Sequence, residues 1–258
     1  MMQNDFGLIS IIMAAYNAEK TIEQAINSVL SQTYPDFELL VVNDCSTDKT
    51  AMLAEAIVKK DDRVRLISNE KNSGVSYTRK HGLEEASGEW VAILDSDDAW
   101  APEKLEKQIA FMEENDYHFS YTDYMEIDEA SKPNGKSVTG PKKITKAGMF
   151  NYCWPGCLTV MYDAETVGLI QIADIKKNND YAMWLKVCKK ADCYLIDEVL
   201  AKYRKRTGSI SNHGYMKLVK WHYKLFREAE NQNPVSSTVL TIRNLLFGVF
   251  KKIKYVKG

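Results

Sequence analysis

The sequence predicts an α/β protein, with a mostly parallel central sheet flanked by helices and a basic helical C-terminal extension. Two observations carry this reading. Through the first hundred residues, short apolar runs alternate with amphipathic helical patterns, as expected of strands buried on both faces and joined by crossover helices. Charge is also unevenly spread. Residues 202–258 hold 13 Lys+Arg against 2 Asp+Glu, so a 258-residue chain of net charge −1 places −12 on residues 1–201. An acidic body and a basic tail follow.

Leu8 to Ala15 is the first apolar run. Thr21 then opens a helix with Ile22, Ala25, Ile26, Val29 and Leu30 along one face. Phe37 to Val42 is the second run, followed by Asn43-Asp-Cys-Ser-Thr-Asp48 and a helix bearing Met52, Leu53, Ala56 and Ile57. Val64 to Ser68 gives a third strand, a helix fits Ser76 to Ala86, and Gly88 punctuates before Val91 to Leu94. Right-handed crossovers would bring the loops after these strands to one mouth, where ligands bind in such sheets. Those loops are Ala15-Tyr-Asn17, Asn43-Asp44, Asn69 to Gly74 and Asp95 to Asp98; their polar groups suit a sugar or a nucleotide.

The second half is less regular. Pro102 starts a helix carrying Leu105, Ile109 and Met112, and Phe119 to Asp128 is a strand. Ser131 to Lys146, with Pro133, Asn134-Gly135 and Gly140-Pro141, reads as turn and mobile loop. Leu158 to Tyr162 is a further strand candidate. Asn178-Asn-Asp180 precedes a helix lined by Tyr181, Trp184, Leu185 and Cys188, whose free N–H groups an Asn or Asp can cap. The five cysteines lack the density of a disulfide scaffold, and Cys153, Cys157, Cys188 and Cys193 lack the spacing of a zinc set. MMQNDFGLIS has no basic n-region or long apolar core, so a cytoplasmic protein is expected.

The stretch VAILDSDDAW, residues 91–100, runs a buried strand into three carboxylates. A carboxylate pair in that position binds Mg2+ or Mn2+, hard ions that prefer oxygen ligands. The alternative is a solvated turn capping the next helix, but capping needs one Asp and this loop supplies three. Asp97 is assigned to the metal and Asp98 to structure. Residues 13–20, MAAYNAEK, contain no glycine, which excludes the phosphate loops of dinucleotide folds and P-loop enzymes and disfavours a nucleotidyltransferase. Arg79 is then a candidate phosphate cation, with a solvated helix cation as the alternative.

In order along the chain, ISIIMAAYNAEKTIEQAINSVLSQTYPDFELLVVNDCSTDKT, NSGVSYTRKHGLEEASGEWVAILDSDDAW and NDYAMWLKV resemble the bacterial family 2 glycosyltransferases of the GT-A fold. Trp154 to Ser211 and the closing stretch are similar to transferases of capsular or teichuronic-type polysaccharides. The resemblance implies a GT-A domain over residues 1–212, its nucleotide-binding half about 1–100 and its acceptor half about 101–212, with a basic tail over 213–258. It implies that Ala15, Tyr16 and Asn17 line the nucleotide pocket, Tyr16 stacking on the base, and that Asp44 accepts a hydrogen bond from uracil. Asn72, Gly74 and Arg79 would close over the nucleotide and its diphosphate, Asp95 and Ser96 would meet the donor, and Asp97 would hold Mn2+ or Mg2+. Asp180 matches the family's catalytic base. The family commonly has Glu-Asp there; this chain has Asn179-Asp180. A helix cap remains the alternative for Asp180.

In the tail, Tyr215 to Arg227 interleaves Met216, Val219, Tyr223 and Phe226 with Lys217, Lys220 and Lys224. Val239 to Val256 carries Leu240, Leu245, Leu246, Phe247, Val249 and Phe250, then Lys251, Lys252 and Lys254. Arg243 and Asn244 interrupt any run of the roughly 20 apolar residues needed to cross a bilayer. Two readings stay open: a basic amphipathic helix on an anionic membrane surface, or a helix packed on the acidic body. No motif for reading nucleic acid accompanies the lysines. The expected activity is inverting, metal-dependent transfer from a nucleotide-diphospho-sugar, a UDP-sugar first, to a hydroxyl of a lipid-linked surface-polysaccharide precursor at the inner face of the bacterial cytoplasmic membrane. The alternative is a non-catalytic nucleotide-sugar-binding module of a polysaccharide assembly complex.

Overall fold

The protein is described by a computed structural model covering residues 6–175, 177–206 and 215–258. The first half alternates as its periodicity demands: β1 (Ile9–Ala15), α1 (Ile22–Leu30), β2 (Phe37–Asn43), α2 (Thr50–Val58), β3 (Val64–Ser68), α3 (Val75–Glu84) and β4 (Trp90–Ile93). β1 pairs in parallel with both β2 and β4, and β3 continues the sheet beyond β2. Side chains of these strands alternate between two cores. Ile9, Ile11 and Met13 face one, with Leu39 and Val41; Ile12 and Leu40 face the other, with Val91 and Ile93. Burial on both faces explains why the strands read as unbroken apolar runs.

Gly82 lets α3 lie close against the sheet. A Cβ there would sit 2.7 Å from Ile12 Cγ2 and 3.0 Å from Val42 Cγ2. This close approach fixes where α3 presents Thr78 and Arg79.

The second half adds β5 (Ala99–Trp100), α4 (Lys104–Asn115), β6 (Phe119–Ile127), β7 (Pro133–Val138), β8 (Lys143–Ile144), α5 (Lys146–Asn151), β9 (Met161–Asp163), α6 (Ala164–Val167), α7 (Asn179–Val187) and β10 (Cys193–Arg204). α8 (Tyr215–Lys224), α9 (Pro234–Lys254) and β11 (Val256–Lys257) close the chain. β9 lies antiparallel between β4 and β6 and joins the two halves into one sheet, ordered β11-β7-β6-β9-β4-β1-β2-β3. β10 runs parallel to β6, with register shifts near Val199, and pairs with β5 just after the acidic loop.

Two expectations need correction here. Ser131 to Lys146 is not a mobile loop: β7 pairs with β6 on one side and β11 on the other, and β8 pairs with β10. Its strand character was hidden because the first four residues of β7 are exposed and polar. The strand placed at Leu158 to Tyr162 is a 3-10 turn, Cys157–Thr159, followed by β9. The boundary at residues 212/213 lies outside the described residues.

The tail packs on the body, through Leu240 and Phe247 and through a row of small polar residues. Ser237, Thr241 and Asn244 are the buried residues of α9, and Asn244 Nδ2 donates to Tyr181 Oη at 2.8 Å. Lys251 Nζ donates to the Trp154 carbonyl at 2.6 Å.

Candidate active site

A cavity of about 770 Å³ opens at the carboxyl ends of β1, β2 and β4 and is walled on the far side by α7, α8 and the end of β10. The structure gathers Ala15, Tyr16, Asp44, Asn72, Gly74, Arg79, Asp95, Ser96, Asp97 and Asp180 in its lining. Asn17 is not among the lining residues. Its Oδ1 accepts from Thr47 N at 2.9 Å, and its own N donates to Ser46 Oγ at 3.1 Å. It therefore ties the loop after β1 to the loop after β2.

Asp44 is 3% exposed and organises the next loop. One carboxylate oxygen accepts from Ser73 N and Asn69 Nδ2, both at 2.8 Å, and the other accepts from Gly74 N at 2.8 Å. Gly74, with φ +82, turns the chain into α3. A left-handed backbone of this kind favours glycine. Three donors occupy part of a carboxylate's acceptor capacity of about four lone-pair positions, so Asp44 retains room for one ligand N–H.

Arg79 crosses from α3 to both sides of the cavity. Its Nη2 pairs with Asp95 and its Nη1 donates to Asn179 Oδ1 at 3.1 Å. Asn179 also donates through Nδ2 to Ser76 Oγ at 2.8 Å. Burial acts to lower the guanidinium pKa, but the charges around it, Asp95 first, hold it above the ordinary value. Arg79 is a buried, permanently charged group rather than a solvated helix cation.

The loop after β4 concentrates the negative charge. Oxygens of Asp95, Asp97 and Asp98 lie within 4.8 Å of one another. Burial, and then its carboxylate neighbours, raise the pKa of Asp98 well above the usual range; burial and Asp95 raise that of Asp97, with Arg206 opposing. Hard oxygen donors this close, each penalised by its neighbours' charge, fit Mg2+ or Mn2+. Among the described residues, no such cluster is formed by Cys153, Cys157, Cys188 and Cys193. Asp98 also has a structural task, since its Oδ1 accepts from Arg204 N at 2.8 Å.

Asp180 lies in the first turn of α7, lining the cavity, and the N-cap position belongs to Asn178. The Asn178 side chain makes no cap hydrogen bond to the helix.

Sequence reasoning missed Arg204 and the cavity-lining side chains of α8. Arg204 is 2% exposed. Its Nε donates to the Asp97 carbonyl at 2.7 Å, and its Nη groups reach Gln24 Oε1 at 2.6 Å and Ser131 Oγ at 2.9 Å. Arg206 Nη2 sits 2.5 Å from Asp97 Oδ2. The signal was the run Tyr203-Arg-Lys-Arg206, in which alternate residues point one way along a strand end. Leu218 and Trp221 of α8 line the same cavity.

A sheet of this order, with nucleotide-type loops at one end and an acidic strand end, defines a GT-A type of transferase fold. The match to glycosyl transferase family 2 spans residues 10–160. The chain is 39% identical over 238 residues to a candidate teichuronic acid biosynthesis glycosyltransferase, TuaG, of Bacillus subtilis, covering 92% of this chain and 94% of the relative. It is 37% identical over 246 residues to the Escherichia coli UDP-Glc:α-D-GlcNAc-diphosphoundecaprenol β-1,3-glucosyltransferase WfgD, covering 95% and 94%. The structure of Staphylococcus aureus TarS 1–349 with UDP-GlcNAc superposes with a TM-score of 0.74 at 22% identity, over 95% of this chain and 74% of that one. The chain belongs to glycosyl transferase family 2 and is a glycosyltransferase.

Proposed function

We propose that the protein transfers a sugar, with inversion, from a UDP-sugar to a hydroxyl of a polyprenyl-diphosphate-linked glycan that becomes a surface polysaccharide. The observation that carries this reading is Arg79, which touches the acidic donor loop with one nitrogen and the residue before Asp180 with the other. Donor charge and the candidate base therefore face one cavity. WfgD, named for a UDP-glucose donor and a diphosphoundecaprenol-linked acceptor, supports the choice of both substrates.

In this mechanism Tyr16, Asp44 and Asn72 hold the nucleoside, and Arg79 faces the diphosphate. Asp180 removes the acceptor hydroxyl proton as that oxygen bonds to the anomeric carbon. The anomeric C–O bond to the diphosphate breaks on the opposite face, and its electron pair leaves with UDP. Asp97, with Asp95, would hold Mn2+ or Mg2+, which when bound supplies electrostatic stabilisation to the leaving diphosphate. A polyprenyl-linked acceptor lies at a bilayer, so the enzyme works as a peripheral protein at the cytoplasmic face.

The test combines thermal stabilisation by UDP-, GDP- and TDP-sugars, in Mn2+ or EDTA, with a transfer assay of Asp180→Asn. One UDP-sugar should give the largest Mn2+-dependent shift. The variant should keep that shift and lose transfer by about a hundredfold to ten-thousandfold. Wild-type turnover in Asp180→Asn would remove Asp180 as the base. Mn2+-dependent donor binding with no transfer in either form would favour the non-catalytic binding module.

A further inference from the structure

α9 carries apolar side chains on two faces. The face it turns to the body holds Ser237, Thr241 and Asn244, all 3% exposed or less, together with the half-buried Leu240 and Phe247 that pack on the core. The opposite face carries Val235, Val239, Ile242, Leu246, Val249 and Ile253, spaced at four and three residues so that they form one continuous stripe. Every one of them is exposed, Leu246 by 65% and Ile253 by 78%. A second apolar stripe of this length, turned away from the body and exposed along the whole helix, has its apolar partner outside the chain.

We infer that this stripe docks on an anionic bilayer surface, with α9 lying in the plane of the interface. Charge selects the occupant. α9 contains no Asp or Glu, and its exposed cations border the stripe: Arg243 and Lys254 on one side, Lys252 on the other, at 100° per residue. Lipid phosphates meet those cations while the stripe enters the acyl boundary. A second copy of the chain brought against the same face would set cation against cation with no acid in α9 to pair them. The helix does not cross the bilayer, because no described helix is long and apolar enough to span. The stripe also continues into a groove of about 780 Å³ between α5 and α9, where Phe150, Val235, Val239 and Leu240 meet Lys146, Arg243 and Asp192, the last paired with Lys143. That groove offers an apolar floor with two cations and one neutralised acid in its lining.

The use of this contact rests on the bilayer-borne acceptor of the proposed function; the docking itself is read from the exposed stripe and its cations. The full chain is mixed with vesicles of phosphatidylcholine alone or with phosphatidylglycerol, and partition is measured by co-sedimentation. The wild type should bind the anionic vesicles preferentially and release with rising salt. Leu246→Glu with Ile253→Glu should lose partition by at least about tenfold, because two side chains can no longer be buried. Lys252→Glu with Lys254→Glu should lose the preference for phosphatidylglycerol. Circular dichroism and the UDP-dependent thermal shift, measured on the same proteins, should be unchanged, so failure of the donor site and failure of docking are read separately. No vesicle binding by folded wild type would overturn the inference, as would equal binding by the Leu246/Ile253 double variant. A concentration-dependent dimer in sedimentation velocity, abolished by that double variant, would assign the stripe to a second copy instead.

Discussion

Replacing Asp97 by Asn should make the ligand-free protein more stable while removing its response to metal and nucleotide. The three acidic side chains place oxygens within 4.8 Å of one another. Two unit charges at that distance repel by about 3.5 kcal/mol at an effective dielectric of about 20. Asp95 is one-third exposed and paired with Arg79, and Arg204 and Arg206 stand beside Asp97 and Asp98. Solvent screening and these cations cut the relief to about 1 kcal/mol per neighbour. Against this stands the lost ion pair with Arg206, whose side chain is 48% exposed, an interaction of at most about 1 kcal/mol. The balance is a gain of about 1 kcal/mol, or roughly 2–4 °C in a protein of this size. Calorimetry in EDTA measures the gain, and the same scan with Mn2+ and UDP measures the loss of ligand stabilisation. A variant less stable than wild type by more than about 1 kcal/mol in EDTA would refute the repulsion argument. An undiminished Mn2+-dependent shift with UDP would refute Asp97 as the metal residue.

Lys104 is wholly buried, and burial lowers its pKa from 10.5 to about 7. Between those values the unfolded chain binds more protons than the folded one. Wild-type stability should therefore rise with pH through that window, by up to about 1.4 kcal/mol per unit, and be lowest below it. Lys104→Met should flatten that slope in urea unfolding at pH 7, 8 and 9; parallel curves for the two proteins would contradict it. Gly82→Ala should destabilise by about 1–3 kcal/mol, since its Cβ meets Ile12 and Val42 under α3. Because α3 carries Arg79, UDP affinity should fall with it, and equilibrium dialysis of the still-folded variant checks this.

The nucleotide-side half was legible because its signals are local. Ile9 to Ala15 announces a doubly buried strand within seven residues, and the acids of the loop after β4 stand together in the chain. Arg204 was not legible, since it acts on Asp98 and Asp97 across about a hundred positions and only the pairing of β10 with β5 and β6 brings it there. β7 escaped for a different reason: Pro133 to Lys136 are exposed and read as a turn, although the strand pairs with the neighbouring β6 as well as with β11. In α9 the apolar spacing was plain, but periodicity marks a face without saying which way it turns. Asn244 bonded to Tyr181 decides the direction. Asp180 sits between these cases: the sequence offered both a base and a cap, and the structure adds that the N-cap position of α7 belongs to Asn178.

Arg204 has a consequence for how the acidic loop would meet an ion. Its side chain donates to the carbonyls of Asp97, Asp128 and Glu129, to Ser131 and to Gln24, while its backbone N–H holds Asp98. The loop is thus braced by a strand end and by two neighbouring segments. Ordering such a loop otherwise costs on the order of 1–2 kcal/mol per residue, and here folding meets that cost before any ion arrives. A divalent ion entering there would displace the Arg206 contact on Asp97 and shed its own water, without reordering the loop's backbone. Exchange of one divalent metal for another should then leave the backbone at rest.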